Sequence, residues 1–196
     1  CNPLTSLCFA YEKRIKSFET TFGGGTDART FQYEFDSKHD SLLLAISGGI
    51  DSMVLLDYLA KHKEEMDLTL TVAHLDHQKR TESFLDCQLI QETCDKLSIQ
   101  AYIEKLAPNE NENFHDYAHK QRYDFFVRIA SEINADKIVL AHNANDNAET
   151  VLMRMVRGSS FEGYRGILPI SSYKGVTVIR PMLEINRSEI TAYQKR

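Results

Sequence analysis

From residue 41 onward, short apolar runs alternate with longer segments in which apolar residues recur every three to four positions. The unbroken run 42–46 is typical of a strand buried on both faces, whereas the spacing from Asp51 onward is typical of an amphipathic helix. In the second predicted helix, over 82–97, Leu85, Leu89 and Ile90 are predicted to face the core. Strands are predicted over 42–46, 68–73, 101–103, 137–141 and 176–179, and helices from residue 51 and over 82–97, 115–133 and 146–157.

Strands that alternate with helices indicate an α/β fold, here a doubly wound, parallel, five-stranded sheet of the Rossmann-like type. In such a sheet the ligand lies beyond the carboxyl ends of the strands, near the switch in strand order. Polar segments follow the first, second and fourth predicted strands, at 47–52, 74–80 and 142–149. We therefore expect these three segments to converge on one crevice.

The chain divides into three parts on this pattern. Residues 1–40 are a predicted N-terminal extension, with a short helix over 11–21. Residues 41–187 form the predicted α/β domain, in which the glycine- and serine-rich segment 158–172 is a loop. Residues 188–196 are predicted to begin a C-terminal helix that the end of the chain cuts off.

The composition is that of a globular protein, since 42% of the 196 residues are hydrophobic and 26% are charged. No apolar run approaches the roughly 20 residues that span a bilayer, and no secretory signal is recognisable. The four cysteines form no C-x-x-C pair, which argues against a zinc ribbon or a redox dithiol. These observations predict a cytoplasmic protein without a membrane partner.

Charge is distributed unevenly along the chain. The formal net charge is −5, but residues 151–196 carry eight Lys or Arg and three Glu, so this segment has a net charge of +5. Such a basic segment is compatible with an anionic ligand. Solvated helix and loop charges explain the asymmetry equally well.

The segment after the first predicted strand has the chemistry of a phosphate-binding loop. Gly48 and Gly49 let the backbone turn tightly and approach an anion without a Cβ in the way. The following helix offers N–H groups and the positive end of its dipole, and Ser47 and Ser52 add hydroxyl donors. Asp51 is predicted either to cap the helix or to hold a Mg²⁺ that the phosphates share. The Walker pattern G-x-x-x-x-G-K-[ST] is absent, and an ordinary strand–turn–helix junction is the alternative.

Two further polar clusters follow the second and fourth predicted strands. His74, Asp76 and His77 have a spacing that suggests zinc, but no fourth ligand lies nearby in the sequence. Asp146 and Glu149 lie at i and i+3 of one helix, where they either share a cation or form a capping box with Asp146 as N-cap. The two interpretations of this pair are compatible.

Basic residues give weaker indications. Arg122 lies in register with the apolar stripe of its helix, where an arginine needs either an ion pair or a ligand. Arg154 and Arg157 are predicted to be solvated, unless the basic segment contacts the phosphates of an RNA.

Six blocks of this sequence match one known family in order and at suitable spacing. S-G-G-I-D-S at 47–52 matches an SGGxDS loop, and A-H-L-D-H-Q-K-R at 73–80, with Ser83, matches an AHxDHxxR…S segment. The chain thereby resembles the tRNA(Ile)-lysidine synthetases, which are N-type ATP pyrophosphatases. The other blocks lie at 118–126, at 141–152 with Arg157 and Gly158, at 163–167 and at 180–183; Lys79, His119, Asn145 and Asn147 depart from the family pattern.

The resemblance implies the fold of the adenine nucleotide α-hydrolases and a PP-loop ATP pyrophosphatase domain over 41–187. It implies that ATP adenylates the wobble cytidine of isoleucine tRNA and that lysine then displaces AMP to form lysidine. ATP and Mg²⁺ are the implied cofactors, isoleucine tRNA and free lysine are the implied partners, and a homodimer is one option for assembly. The implied catalytic residues are Asp51, Arg80, Asp146 and Glu149; the nucleotide-binding residues are Ser47, Gly48, Gly49, Ile50, Asp51, Ser52 and His74; the substrate-binding residues are Asp76, Arg122, Asp146, Glu149 and Arg157; the Mg²⁺ ligands are Asp51 and Asp146.

Two alternatives remain at the level of the sequence. One is another PP-loop adenylating enzyme, such as a tRNA cytidine thiolase. The missing C-x-x-C pairs and Ile50, where thiolases tend to carry Lys, argue against it. The other is a catalytically weak nucleotide-binding module, which Asn145 favours because it removes a charge where the family carries Asp.

Overall fold

The computed structural model describes residues 39–78, 83–107, 114–158 and 166–195, with six strands and five helices in these ranges. The helix predicted over 11–21 lies outside them. No helix in these ranges is long and apolar enough to cross a bilayer. The strands are β1 (Asp40–Ala45), β2 (Leu68–Asp76), β3 (Gln100–Lys105), β4 (Lys137–Leu140), β5 (Ile170–Tyr173) and β6 (Val176–Ile179). The helices are α1 (Ile50–His62), α2 (Ser83–Leu97), α3 (Phe114–Glu132), α4 (Ala144–Val156) and α5 (Arg187–Gln194).

All six strands form one sheet in the order β3-β2-β1-β4-β6-β5. β1 pairs in parallel with both β2 and β4, β2 pairs in parallel with β3, and β4 does so with β6. The predicted doubly wound α/β fold is therefore confirmed. β2 and β3 extend the sheet on one side of β1, and the later strands β4, β6 and β5 extend it on the other side. The switch point therefore lies beyond the carboxyl ends of β1 and β4.

The predicted number of strands is wrong by one, because β5 forms inside the segment predicted as a loop over 158–172. β5 pairs antiparallel with β6 at the edge of the sheet. The turn between them, Lys174 (φ 49°) and Gly175 (φ 86°), has the two positive φ values of a tight hairpin. The sequence of β5, I-S-S-Y, has little apolar character, because an edge strand is not covered on both faces.

Two hydrophobic cores explain why the apolar run of β1 is continuous. Leu42, Leu44 and Ile46 belong to the core that packs against α1, α2 and α5, whereas Leu43 belongs to the core that packs against α3. Successive strand residues face opposite sides, so a strand covered on both faces must be apolar throughout. The two cores fix the carboxyl end of β1, from which the phosphate loop begins.

The predicted core stripe of α2 is wrong at two of its three residues. Ile90 is fully buried, but Leu85 and Leu89 are 49% and 46% exposed, and Cys94 is buried in their place. Ile90 and Cys94 are four residues apart on one face, so the helix turns its leucine-rich side outward. This rotation brings Asp86 into the cavity beyond the end of β1.

A buried ion pair joins the amino ends of β1 and β4, which lie at the opposite end of these strands from the switch point. Asp40 is fully buried, and its Oδ2 lies 2.6 Å from Lys137 Nζ. Beside this pair, Ser41 N donates to Asp136 Oδ2 and Asp136 N donates to Ser41 O, both at 2.8 Å. These contacts hold the two central strands in register at the end that carries no candidate site.

Candidate active site

A cavity of about 460 Å³ lies beyond the carboxyl ends of β1, β2 and β4. Residues of α1, α2, α3 and α4 close its sides, so the three polar segments at 47–52, 74–80 and 142–149 all contribute to one crevice. Its volume lies in the range of sites for small molecules and cofactors. The polar side chains in the lining are Ser47, Asp51, Ser52, His74, Asp76, His77, Gln78, Ser83, Asp86, Arg122, His142 and Asp146.

The phosphate loop is closed by its own serines. Ser52 Oγ accepts from Ser47 N at 3.2 Å and donates to Gly49 O at 2.9 Å, while Ser47 Oγ accepts from Gly49 N at 3.3 Å. Gly49 is the N-cap residue of α1, and no side chain caps this helix. The N–H groups of the first turn therefore have no side-chain acceptor, which is the arrangement that binds an anion.

The two glycines of this loop differ in what they require. Gly48 has a φ of +84°, and a Cβ at this position would lie 3.0 Å from Asp86 Cβ and 3.2 Å from Asp86 Oδ1. Gly49 has an extended backbone, with φ −71° and ψ 158°, and a Cβ there would meet only Ser47 Oγ, at 3.4 Å. Gly48 is therefore required both by its backbone conformation and by the carboxylate packed against it.

Gly48→Ala is expected to lower the free energy of unfolding by about 1–2 kcal/mol, because an L residue is strained in the left-handed region. Asp86 must also move to admit the methyl group. Gly49→Ala is the matched control and should change the free energy of unfolding by no more than ~0.5 kcal/mol. Urea unfolding followed by circular dichroism measures both variants. Equal losses would show that neither the left-handed φ nor Asp86 constrains position 48.

Two side chains at the end of β2 are fixed against the neighbouring backbone. His74 is 5% exposed, and its Nδ1 lies 2.8 Å from Ile46 O. A carbonyl oxygen only accepts, so Nδ1 carries the proton and the ring orientation is set. Asp76 is 4% exposed, and its Oδ1 accepts from Gln78 N at 2.8 Å. Both side chains therefore present fixed polar groups to the cavity.

Four aspartates line the cavity: Asp51, Asp76, Asp86 and Asp146. Among the lining residues that the structure describes, Arg122 is the only Lys or Arg. Several carboxylates in one partly enclosed space repel one another unless cations join them. The cavity is therefore suited to a ligand set that includes a metal ion, an ammonium group or both.

Asp51 has the clearest need for a cation. Its Oδ1 is buried and has no hydrogen-bond partner in the described ranges, and its Oδ2 lies 3.3 Å from Arg187 Nη2. No group of three metal-ligating side chains occurs within residues 39–78, 83–107, 114–158 and 166–195. The unpartnered Oδ1 of Asp51 fits a Mg²⁺ that takes one or two carboxylates, with phosphate oxygens and water completing its octahedron.

The capping box of α4 is displaced from its predicted position. Asn143, not Asp146, is the N-cap residue: its Oδ1 accepts from Asn145 N at 2.8 Å and from Asp146 N at 3.1 Å. Asp146 takes the third helical position, and its Oδ2 accepts from Asn143 N at 3.0 Å. Asn is as good an N-cap as Asp, so the helix begins three residues earlier than that box required. One oxygen of Asp146 is thereby committed to the helix end.

Two further buried atoms in the lining have no hydrogen-bond partner among the described residues. These atoms are Arg122 Nε and His142 Nδ1. Burial, followed by the charge of Arg180, lowers the pKa of His142 to about 4, while Asp146 opposes this shift. His142 is therefore neutral at pH 7, and Arg122 supplies the positive charge on this side of the cavity. Arg122 was predicted to need either an ion pair or a ligand. Within the part of the chain that the structure describes, it forms no ion pair.

Several predicted site residues lie away from the lining. Gly48 packs behind it against Asp86, and Ile50 is 49% exposed. Glu149 and Arg157 are exposed on α4 and just after it. Arg80 lies outside the described residues.

Asp86 is the one aspartate of the described lining that the sequence analysis did not select. It stands in the first turn of the helix after β2, where a carboxylate is ordinarily explained by the helix dipole. The available signal was its position, since the residues just beyond the end of β2 were already predicted to face the crevice. Arg187, which contacts Asp51 from α5, was likewise counted only as part of the basic segment.

Comparison with known proteins gives one matching family and several relatives. A family model described as a PP-loop domain matches residues 24–196. The chain is 39% identical over 162 residues to the bifunctional protein TilS/HprT of Listeria monocytogenes, which covers 80% of this chain and 25% of that protein. It is 38% identical over 168 residues to the tRNA(Ile)-lysidine synthase of Clostridium tetani, with 83% and 35% covered. The chain thus spans about a quarter to a third of the length of these relatives.

Solved structures share the fold at low sequence identity. The U34-tRNA thiolase NcsA from Methanococcus maripaludis superposes with a TM-score of 0.71 at 17% identity, over 95% of this chain and 62% of that one. The FMN adenylyltransferase of Candida glabrata superposes with a TM-score of 0.53 at 16% identity, over 96% of this chain and 66% of that one. At these identities the likeness concerns the fold alone.

Proposed function

Because this chain belongs to the PP-loop domain family, we propose that its cavity binds ATP with Mg²⁺ and splits ATP between the α- and β-phosphates. The proposed acceptor of AMP is the wobble cytidine of isoleucine tRNA, and free lysine is the second substrate. The name of the relatives, tRNA(Ile)-lysidine synthase, supports this choice of acceptor. The product is lysidine, and the proposed location is the cytoplasm.

The observation that carries the proposal is an anion-binding loop in the same cavity as four aspartates. A loop of this kind fits any phosphate ligand, but four carboxylates would repel a polyphosphate that arrived without cations. Mg²⁺ accompanies ATP, and lysine carries an ammonium group. The phosphates of ATP therefore match the anion-binding loop, and Mg²⁺ and the lysine ammonium match the aspartates.

In the first step, the carbonyl oxygen at C2 of the cytidine attacks the α-phosphorus. The bond from that phosphorus to the bridging oxygen breaks, and pyrophosphate leaves with the electron pair. Segment 47–52, the N-terminus of α1 and His74 would hold the nucleotide. Mg²⁺ on Asp51 and Asp146 would offset the charge on the leaving pyrophosphate. Arg80, which the resemblance implies as catalytic, is proposed to reach phosphate or the reacting carboxylate.

In the second step, the lysine ammonium gives a proton to solvent or to a carboxylate that holds it, the resulting amine attacks C2, and AMP leaves with the electron pair of the C–O bond. Asp76 and Asp86, from the β2 and α2 side of the cavity, are proposed to hold the ammonium group before it loses its proton. Arg122 is proposed for the carboxylate of lysine. Glu149 on α4 and Arg157 just after it are both exposed, so contact with the tRNA is the role proposed for them.

The thiolase alternative finds less support in the cavity. Cys87 is half-buried and Cys94 is buried, both are free thiols, and neither belongs to the lining that the structure describes. A sulfur-transfer site needs an accessible thiolate or a cluster ligand. Assembly as a homodimer stays a prediction.

Omitting lysine should separate the two steps, and removing the metal should stop both. With ATP, Mg²⁺ and an isoleucine tRNA transcript, we expect pyrophosphate release without lysine and AMP release only after lysine is added. EDTA should stop both, because the proposed Mg²⁺ would offset the charge on the leaving pyrophosphate and the second step needs the product of the first. Thin-layer chromatography of α-labelled ATP measures AMP, and a coupled assay measures pyrophosphate. AMP release that ignores lysine would favour another adenylating enzyme, and ATP binding without turnover would favour a binding module.

A further inference from the structure

We propose that Arg187 is a further nucleotide-binding residue, whose guanidinium binds the pyrophosphate half of ATP while it contacts Asp51. The inference rests on the proposed binding of ATP and adds a residue to it. Arg187 lies 136 residues from Asp51 in the chain, at the start of α5. Neither the phosphate loop nor the predicted site residues include it.

The contact with Asp51 places the guanidinium at the rim of the phosphate loop. Arg187 Nη2 lies 3.3 Å from Asp51 Oδ2, and Asp51 is both a lining residue and part of the first turn of α1. The first-turn N–H groups that would receive phosphate are therefore within one side-chain length of the guanidinium. An arginine fork has several donors, so it can bind a carboxylate and a phosphate oxygen at the same time.

The backbone of Arg187 is fixed although its side chain is 64% exposed. Its N–H donates to Asn145 Oδ1 at 3.0 Å, and Ala144 N donates to Ile185 O at 2.9 Å. Asn186 caps α5 in a complete capping box. The start of α5 is thus tied to the start of α4, which carries Asp146. The side chain keeps the freedom to turn toward a ligand from a fixed point.

A purely structural role is not needed to explain how α5 is docked. Ile190 is fully buried in the core that α1 shares, and Tyr193 Oη donates to Asp57 Oδ2 at 2.8 Å. An exposed ion pair of 3.3 Å adds little to such an interface. A polyphosphate offers the guanidinium several charged oxygens, whereas Asp51 offers it one oxygen at 3.3 Å, so a bound polyphosphate would draw the fork inward.

The test compares three ligands that share parts of ATP. Titration calorimetry with Mg²⁺ should show that Arg187→Gln weakens binding of ATP and of pyrophosphate about tenfold. AMP binding should not change, because AMP lacks the pyrophosphate half. Arg187→Lys should recover part of the loss, since the charge returns without the fork. Lys195→Gln removes an exposed charge just after the same helix and should bind all three ligands like the unchanged protein.

The outcomes are distinguishable from failure of the proposed function. If the unchanged protein binds neither ATP nor pyrophosphate, the proposed function fails and this inference fails with it. If it binds both and Arg187→Gln binds them equally well, only the role of Arg187 is overturned. An equal loss for AMP, ATP and pyrophosphate would also overturn it, because that pattern indicates a disturbed fold. Thermal unfolding of each variant, with Arg187→Lys as the milder change, separates these cases.

Discussion

Asp51→Ala should lower the rate of pyrophosphate release from ATP by roughly 10²–10³-fold, the loss expected when one preorganised electrostatic contact to the reacting phosphates is removed. The buried Oδ1 of Asp51 has no partner among the described residues, and its Oδ2 contacts Arg187. The alanine variant removes the carboxylate that would carry Mg²⁺ but leaves Arg187 available to phosphate. Turnover should therefore fall much further than ATP affinity. A coupled pyrophosphate assay and calorimetry measure the two quantities.

The variant should remain folded, because Asp51 is partly exposed and stands in a first turn, where one carboxylate contributes about 0.3–1 kcal/mol. Glu92→Ala is a suitable control, since Glu92 is an exposed carboxylate on α2 that accepts a hydrogen bond from Gln88 of the same helix. Its turnover should match that of the unchanged protein. Unchanged turnover in Asp51→Ala would contradict the assignment of segment 47–52 as the phosphate loop.

The sheet and the tight turn at 47–52 could be predicted because their causes are local. The apolar run of β1 reflects cover on both faces, and Gly48 stands where the backbone needs a positive φ. The apolar run and the glycine each reflect local structure, so both can be recognised from the sequence alone. The position of the crevice then follows from the strand order of a doubly wound sheet.

The remaining features depend on contacts between distant parts of the chain. β5 is a polar edge strand that forms because it pairs with β6. The orientation of α2 is set by packing that buries Cys94 rather than Leu89. Asp86 and Arg187 reach the phosphate loop only through such packing. The composition of these segments does not indicate which distant residues they contact, so sequence patterns alone could not identify these features.

Lys137→Ala should lower the free energy of unfolding by about 3–5 kcal/mol, because it leaves the buried carboxylate of Asp40 without its cation. Asp40 is fully buried, its Oδ2 lies 2.6 Å from Lys137 Nζ, and its Oδ1 has no partner in the described ranges. Urea unfolding measures the loss as a shift of the midpoint at constant slope. Replacing both residues by leucine should recover most of the stability, since a buried pair is readily exchanged for apolar packing.

Lys61→Ala provides the matched control, because the distance from Lys61 Nζ to Asp57 Oδ2 is also 2.6 Å. The Lys61 and Asp57 side chains are 60% and 39% exposed, so solvent screens this pair and its loss should cost no more than ~1 kcal/mol. Equal losses in the two variants would show that burial does not determine how much the pair of Asp40 and Lys137 contributes to the free energy of unfolding. Lys137 lies at the amino end of β4, away from the cavity, so its folded variant should bind ATP normally. A loss of ATP affinity in that folded variant would mean that the two ends of the sheet are coupled.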